Sequence, residues 1–311
     1  MISLCTRLSF SARNRLQTRH GVALLVGTRK TIISAPTAPH TYRSLSTLSR
    51  CAVAPLVSSL NPRKGATATF SSGASAKGDG PASTLQADPE APFQLFTGRT
   101  PNGRKVSIFL EELRAYYGRP DYDVVPIDIS QNTQKEPWFI TMNPNGRIPV
   151  LLDRTQNNFV VFETAAILLY LARTCDTENQ FWFDPNERPL DYSVMLQWIF
   201  WAHGGLGPMQ GQSNHFNSFA PVDIPYAKKR YLDETERLFG VLQIRLAERD
   251  YLAGEGQGKY TIADMNAFPW IAGHKFSGVE SLDKWPALKR WFETISERKQ
   301  VQEGLSIPST L

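Results

Sequence analysis

Cysteine is scarce: three residues in 311, of which Cys5 and Cys51 fall in the first ninety positions. Cys175 stands alone in the remainder, so a disulfide framework, a Cys-x-x-Cys redox pair and cysteine-based metal spacing are all excluded there. Any thiol chemistry must take its sulfur from outside the polypeptide. Acidic residues are missing from Met1 to Gly78, which holds eleven Lys and Arg. From Asp79 onward 23 basic residues face 29 acidic ones, a net charge of −6 hidden beneath the overall +5. The pI near 9.1 is thus a property of the head, and it carries no argument for nucleic-acid binding. No apolar run approaches the length that spans a bilayer. There is no internal repeat.

What the first 92 residues do contain is Ser, Thr, Ala and spread arginines (Arg7, Arg13, Arg15, Arg19, Arg29), with Leu4, Leu8 and Leu16 as a modest apolar stripe. That composition predicts a mitochondrial targeting peptide followed by a disordered linker over 1–92; a tail without an address, in a cytoplasmic protein, is the alternative. The apolar run Val22 to Val26 is too short and too deep for a secretory signal.

Beyond the linker, Phe93–Thr97 is a strand candidate and Thr100-Pro101-Asn102-Gly103 a turn. Val106, Phe109, Leu110, Leu113 and Tyr117 then recur at helical spacing up to Gly118, and Val124–Ile129 reads as a second strand. This is a βαβ unit, for which a parallel pair is expected. Gln131 to Phe139 is loop or short helix. The turn Asn143-Pro144-Asn145-Gly146 leads into a strand at Ile148-Pro149, and a hairpin follows through Thr155–Asn158 to a strand over Phe159–Phe162. An apolar helix starts at Glu163-Thr164. After the polar connection from Thr174 to Pro189 only helical patterns remain. Leu190, Val194, Trp198 and Trp201 share one face, and Gly204-Gly205-Leu206-Gly207-Pro208 is expected to interrupt that helix. A long helix runs from Pro225 to Glu248, and the last spans Pro286 to Glu297. Thr261-Ile262-Ala263-Asp264 is a capping box, with Tyr260 and Met265 placed for a hydrophobic staple.

Proline at a strand start withholds a ladder donor and leaves the main chain of Ile148 free to pair outside the sheet. A helix N-terminus at Thr164 suits a carboxylate. With Glu163 as a buried acid, these features fit a small extended peptide, although an edge strand and a capped helix account for them equally well.

The markers Asn145-Gly146-Arg147-Ile148-Pro149-Val150-Leu151, Glu163-Thr164-Ala165-Ala166-Ile167 and Thr261-Ile262-Ala263-Asp264 together resemble the soluble glutathione transferase superfamily, over roughly residues 93 to 305. Thr100–Lys105, Leu196–Trp201, Gly204–Met209 and His215-Phe216-Asn217 narrow the resemblance to the nu-class disulfide oxidoreductases of the YfcG and YghU type and to a fungal nitrogen-regulator-like branch. The resemblance implies an α/β plus all-α fold, with a thioredoxin-like βαβ-ββα glutathione-binding domain (93–174) and an all-helical C-terminal domain (189–305). It implies glutathione, reduced or oxidised, as cosubstrate without a metal, and a homodimer acting on a small disulfide or electrophile, with no nucleic acid and no membrane insertion.

By the same resemblance, Ile148 before a cis Pro149 pairs with the cysteinyl part of glutathione. Glu163 faces its ammonium, Thr164 holds the γ-glutamyl carboxylate, and Gln134 meets the glycyl end. The sulfur lies over Thr100 and Asn102, where donors and the helix dipole favour the thiolate. An ordinary turn capping a helix accounts for these last residues as well. No Tyr or Cys stands at that turn. The expected chemistry is therefore thiol–disulfide exchange rather than strong conjugation of electrophiles; a conjugating transferase and a non-catalytic glutathione-binding regulator stay open. A dimer mate can supply an arginine, with Arg237 the candidate, although Arg230 and Arg237 also read as solvated charges. His203 and His215 lack an acidic partner at metal-ligand spacing and read as shaping the pocket. Trp198 and Trp201 read as core, and Cys175 as structural.

Overall fold

The computed structural model describes residues 91–309; the targeting and linker expectation lies outside them, save its last two positions. Strand β1 (Phe93–Thr97) sits inside a four-stranded sheet of order β2-β1-β3-β4. It pairs in parallel with β2 (Tyr122–Pro126) and antiparallel with β3 (Val150–Asp153), which pairs antiparallel with β4 (Phe159–Phe162). The parallel pair forms because helix α1 (Pro101–Tyr117) carries the chain back across the sheet. Gly118, at φ 69°, ends that helix in a left-handed cap. The second strand begins and ends earlier than its apolar pattern indicates, at 122–126 instead of 124–129. Its register against β1 sets these limits, and Ile127 instead turns inward to become core. β3 likewise starts just after Pro149.

Alternation along β1 divides the core. Phe93 and Leu95 face α1 and α3 (Thr164–Cys175), while Phe96 joins Ile127, Val150 and Phe139 beneath the short helix α2 (Pro137–Met142). The first face is continuous with the core of the helical half.

Helix α7 (Ile262–Ala272) is the axis of that half, with ten of its eleven residues buried. The capping box forms as the sequence predicts. The buried Asp264 carboxylate accepts from Thr261 N, Leu252 N and the Trp291 indole at 2.9–3.0 Å, so one side chain ties the start of α7 to a loop and to α8 (Pro286–Ser296). The long helix α6 (Pro225–Leu246) packs Leu238, Phe239, Leu242 and Leu246 inward.

Two features depart from expectation. The glycines after Trp201 do not interrupt the helix. Helix α4 (Pro189–Trp201) passes through a π-helical turn at Ala202–Leu206 into α5 (Gly207–Asn214), and a second π-turn, His215–Phe219, follows. The Ile199 carbonyl, just before the bulge, accepts from the Asn266 side chain of α7 at 3.0 Å as well as from Ala202 N, which ties the bulged helix to α7. The second departure is a helix past Glu297, α9 (Lys299–Leu305), packed on α1. Gly304 permits the contact, since a Cβ there would lie 2.5 Å from the Ile108 Cα. Arg298 locks it through two bonds of 2.6 and 2.7 Å to the buried Glu112 carboxylate. No helix among the described residues is long and apolar enough to cross a membrane.

Candidate functional site

A cavity of about 680 Å³ opens where the C-terminal end of β1, the loop before β3, the start of α3 and the bulged α4–α5 helix converge. Thr100, Asn102, Gln134, Ile148, Pro149, Glu163 and Thr164 all line it. Arg237 does not: it projects from α6, largely exposed, and is held by two bonds of 2.7 and 2.8 Å to Glu234. Within its own chain it takes no part in the cavity. Arg230, on the same helix, is also exposed and makes no ion pair among the described residues.

Thr100 is the N-cap of α1. Its hydroxyl oxygen accepts from Gly103 N at 3.1 Å, leaving its own O–H available to an acceptor in the cavity. The Asn102 amide, half-buried two residues on, makes no hydrogen bond among the described residues, so its donors are also available. Gly103 is required because a Cβ would run into the Gly98 carbonyl and the Thr97 hydroxyl; the turn is that tight. Two unengaged donors at a helix N-terminus favour an anion.

The opposite wall is built by the loop before β3. Asn143, buried, folds it from within: its Oδ1 accepts from Asn145 N at 3.0 Å and its Nδ2 donates to Arg147 O at 2.8 Å. Gly146, at φ 57°, completes the turn, and the Ile148–Pro149 peptide is cis. The β3 ladder begins only at Val150, which leaves the Ile148 main chain outside it and at the cavity wall. Gln134 is buried with its side-chain oxygen unpartnered.

At the start of α3 the sequence reading needs one correction: Glu163 is exposed, its side chain 48% accessible. It is the N-cap residue at φ 70°, a conformation non-glycine residues seldom hold, and it gives the helix no side-chain cap. The carboxylate is turned outward along the cavity rim while Thr164, the first helical residue, stays buried. The α3 N-terminal N–H groups therefore face the cavity without a capping side chain.

Two further residues belong to the site: His203, which the sequence reads as shaping the pocket without naming its partners, and Lys105, which the sequence reading missed. His203, carried by the first π-turn, places Nε2 3.1 Å from the Glu163 carboxylate and Nδ1 3.5 Å from the Thr164 hydroxyl. Lys105, 1% exposed, puts its ammonium 3.5 Å from that same hydroxyl. Burial pulls the Lys105 pKa down to about 7, partly opposed by the Glu163 charge. A signal for Lys105 existed: it lies one turn before Phe109 on the core-facing side of α1. The partners of His203 had no such signal, because the bulge that aims it is set by packing. His215 is not in the cavity; its ring packs edge-on against Phe216. No group of three metal-ligating side chains occurs among the described residues. Trp198 and Trp201 pack against each other and the core. Cys175 is half-buried with its thiol pKa raised by burial, the reverse of an activated thiol. The far wall is Gly207, Pro208, Gly211, Gln212 and Trp270.

A thioredoxin-like sheet domain with a cis-proline strand, leading into an all-helical domain with this cavity beside both, defines a family that comparison with known proteins identifies. The family model for the glutathione S-transferase N-terminal domain matches residues 91–173, and that for the C-terminal domain matches 220–299. The chain belongs to the glutathione S-transferase family. It is 39% identical over 217 residues to the disulfide-bond oxidoreductase YfcG of Escherichia coli, covering 68% of this chain and 94% of that one. To the disulfide-bond oxidoreductase YghU of the same organism it is 37% identical over 227 residues (70% and 76%). Among solved structures, a glutathione transferase homologue from Lodderomyces elongisporus with two GSH per subunit superposes with a TM-score of 0.64 at 35% identity, covering 70% of this chain and 99% of that one.

Proposed function

We propose that the protein is a glutathione-dependent disulfide oxidoreductase in which the peptide supplies the only reacting thiol. The observation that carries this is the pair of unengaged donors, Thr100 and Asn102, at the N-terminus of α1 in a cavity that no Tyr, Ser or Cys of the described residues lines. These donors stabilise a thiolate without removing its proton, which suits exchange with a disulfide. Support comes from the two Escherichia coli relatives, whose names state that activity.

Glutathione lies with its cysteinyl main chain along Ile148 and its sulfur over Asn102. Its γ-glutamyl end is at Glu163 and Thr164, and its glycyl end is toward Gln134. The thiolate attacks one sulfur of a small disulfide, and the S–S bond breaks. The departing thiolate takes a proton from solvent. A second glutathione then resolves the mixed disulfide, so that two glutathiones become one glutathione disulfide and two substrate thiols form. The glycine-rich wall of α5 with Trp270 leaves room for that second molecule.

The test is initial-rate kinetics on the purified chain with glutathione and, side by side, a dialkyl disulfide and an aryl halide. Turnover of the disulfide with little of the halide is expected; the reverse preference makes the chain a conjugating transferase. We further propose a homodimer, in which an arginine of α6 reaches the mate's cavity. Arg237 serves only by releasing Glu234, and sedimentation with Arg237→Ala and Arg230→Ala binding data decides this. The basic, acid-free head supports mitochondrial import, tested by the destination of a fluorescent fusion.

A further inference from the structure

Among the described residues the buried charges are almost all matched. Glu112 is chelated by Arg298, Asp264 accepts from three elements, and Asp176 accepts from Gln180 N and Phe181 N as well as the Tyr117 hydroxyl. Lys105 is the exception. It is as buried as any of them, forms no ion pair among the described residues, and has one long hydrogen bond, to a neutral hydroxyl. An ammonium taken out of water and left unpaired is costly to the fold, and a hydrophobic side chain of that length would serve packing better. Its amine lines the cavity beside the first residue of α3, whose N–H groups have no side-chain cap.

Three positive features therefore converge on one spot: the α3 N-terminus, the Thr164 hydroxyl as donor, and the Lys105 ammonium. Glu163, one residue away, offers the opposite charge on the rim, partnered by His203. We propose that Lys105 is the buried counter-ion for the α-carboxylate of the γ-glutamyl residue, and so selects peptides whose first residue keeps that carboxylate free. This rests on the reading above that a γ-glutamyl peptide fills the cavity, and it assigns a partner to a charge that otherwise has none. A carboxylate arriving there holds the proton on Lys105, whose pKa of about 7 otherwise leaves it largely neutral at pH 8. The charged group that acts on it is Glu163 at the α3 entry, and the imidazole of His203 reaches the same Thr164 hydroxyl. Lys105 thus takes up a proton when the carboxylate binds at pH 8.

The test is titration calorimetry on the full chain with glutathione and with its γ-glutamyl α-carboxamide analogue. Wild type is expected to prefer the carboxylate by at least tenfold. Lys105→Met is expected to bind glutathione about ten- to hundredfold more weakly and to discriminate less than about threefold between the two ligands. Its melting temperature without ligand is expected to equal or exceed wild type. Repeating the titrations at pH 8 in two buffers of different ionisation enthalpy should show wild type taking up more protons per ligand than the variant, since any proton released by the thiol on binding is common to both. Lys105→Gln, uncharged on a polar stem, replaces Lys105→Met where the latter does not fold and should show the same lost discrimination. Variants that retain wild-type affinity, or lose both ligands equally, overturn the assignment of Lys105 alone. A wild-type chain that takes up neither ligand overturns the γ-glutamyl reading and this one with it.

Discussion

His203 Nε2 stands 3.1 Å from Glu163 Oε2, joining the helical half of the chain to the rim of the thioredoxin-like half at the mouth of the cavity. Both side chains are about a third or more exposed, so the pair contributes little to stability, under about 1 kcal/mol. In the proposed binding mode it borders the place where the ligand ammonium would meet the carboxylate. His203→Ala is expected to shift the melting temperature by less than about 3 °C and glutathione affinity by less than about threefold. Glu163→Gln, which removes the charge, should weaken binding about tenfold or more. Calorimetric titration of the two variants checks this; equal losses would mean that the imidazole itself contacts the ligand.

In the proposed reaction the sulfur that reacts is not Cys175. That thiol is half-buried, away from the cavity, and held protonated by burial. Cys175→Ala should keep disulfide reduction within about twofold of wild type. Asn102→Ala removes a donor to the thiolate, and a charge-assisted hydrogen bond is worth about 1.5–3 kcal/mol, so the rate should fall roughly ten- to hundredfold. Initial rates with saturating glutathione measure both.

Asp264 predicts a pH signature for stability. Burial outweighs its hydrogen bonds and raises its pKa to about 6 in the folded chain, from 3.8. Between these values the folded chain binds more protons than the unfolded one. The stability that this group contributes is therefore full below about pH 4 and declines as pH rises to about 6. Asp264→Ala should lack that decline. It also leaves the donors of Thr261, Leu252 and Trp291 unpaired in the core, a loss of about 3–5 kcal/mol. Denaturant midpoints of both chains from pH 4 to 8 read both effects.

Two glycines of the bulged helix should respond in opposite directions. A Cβ at Gly207 falls 2.9 Å from Trp270 Nε1, on a rigid indole that walls the cavity. Gly207→Ala is expected to cost about 1–3 kcal/mol and to raise KM for the disulfide more than for glutathione. At Gly204 nothing lies within 4 Å of a Cβ. Gly204→Ala should stabilise by up to about 1 kcal/mol without changing either KM. Thermal melts and initial rates on the pair test the contrast.

Much of the fold was legible because it is written locally. The Ile148-Pro149 strand entry, the Thr261–Asp264 capping box and the helical stripe ending at Gly118 each need only a few neighbours to form. The two π-turns were not legible: a run of glycines looks like a break, and only packing on α7, with Asn266 donating to the Ile199 carbonyl, makes a continuous helix the better outcome. Helix α9 was missed for a similar reason, since its reward comes from α1 almost two hundred residues earlier, through Glu112 and Arg298.

The residues that line the cavity divide along the same boundary. Thr100, Asn102, Ile148, Pro149, Glu163 and Thr164 belong to short motifs whose chemistry follows from a turn, a strand start or a helix start, and the amino-acid order alone determined them. The exposure of Glu163, the burial of Lys105 and the arrival of His203 were decided by the tertiary structure. Each depends on which distant surface closes over a side chain, and desolvation and charge pairing act through space rather than along the chain.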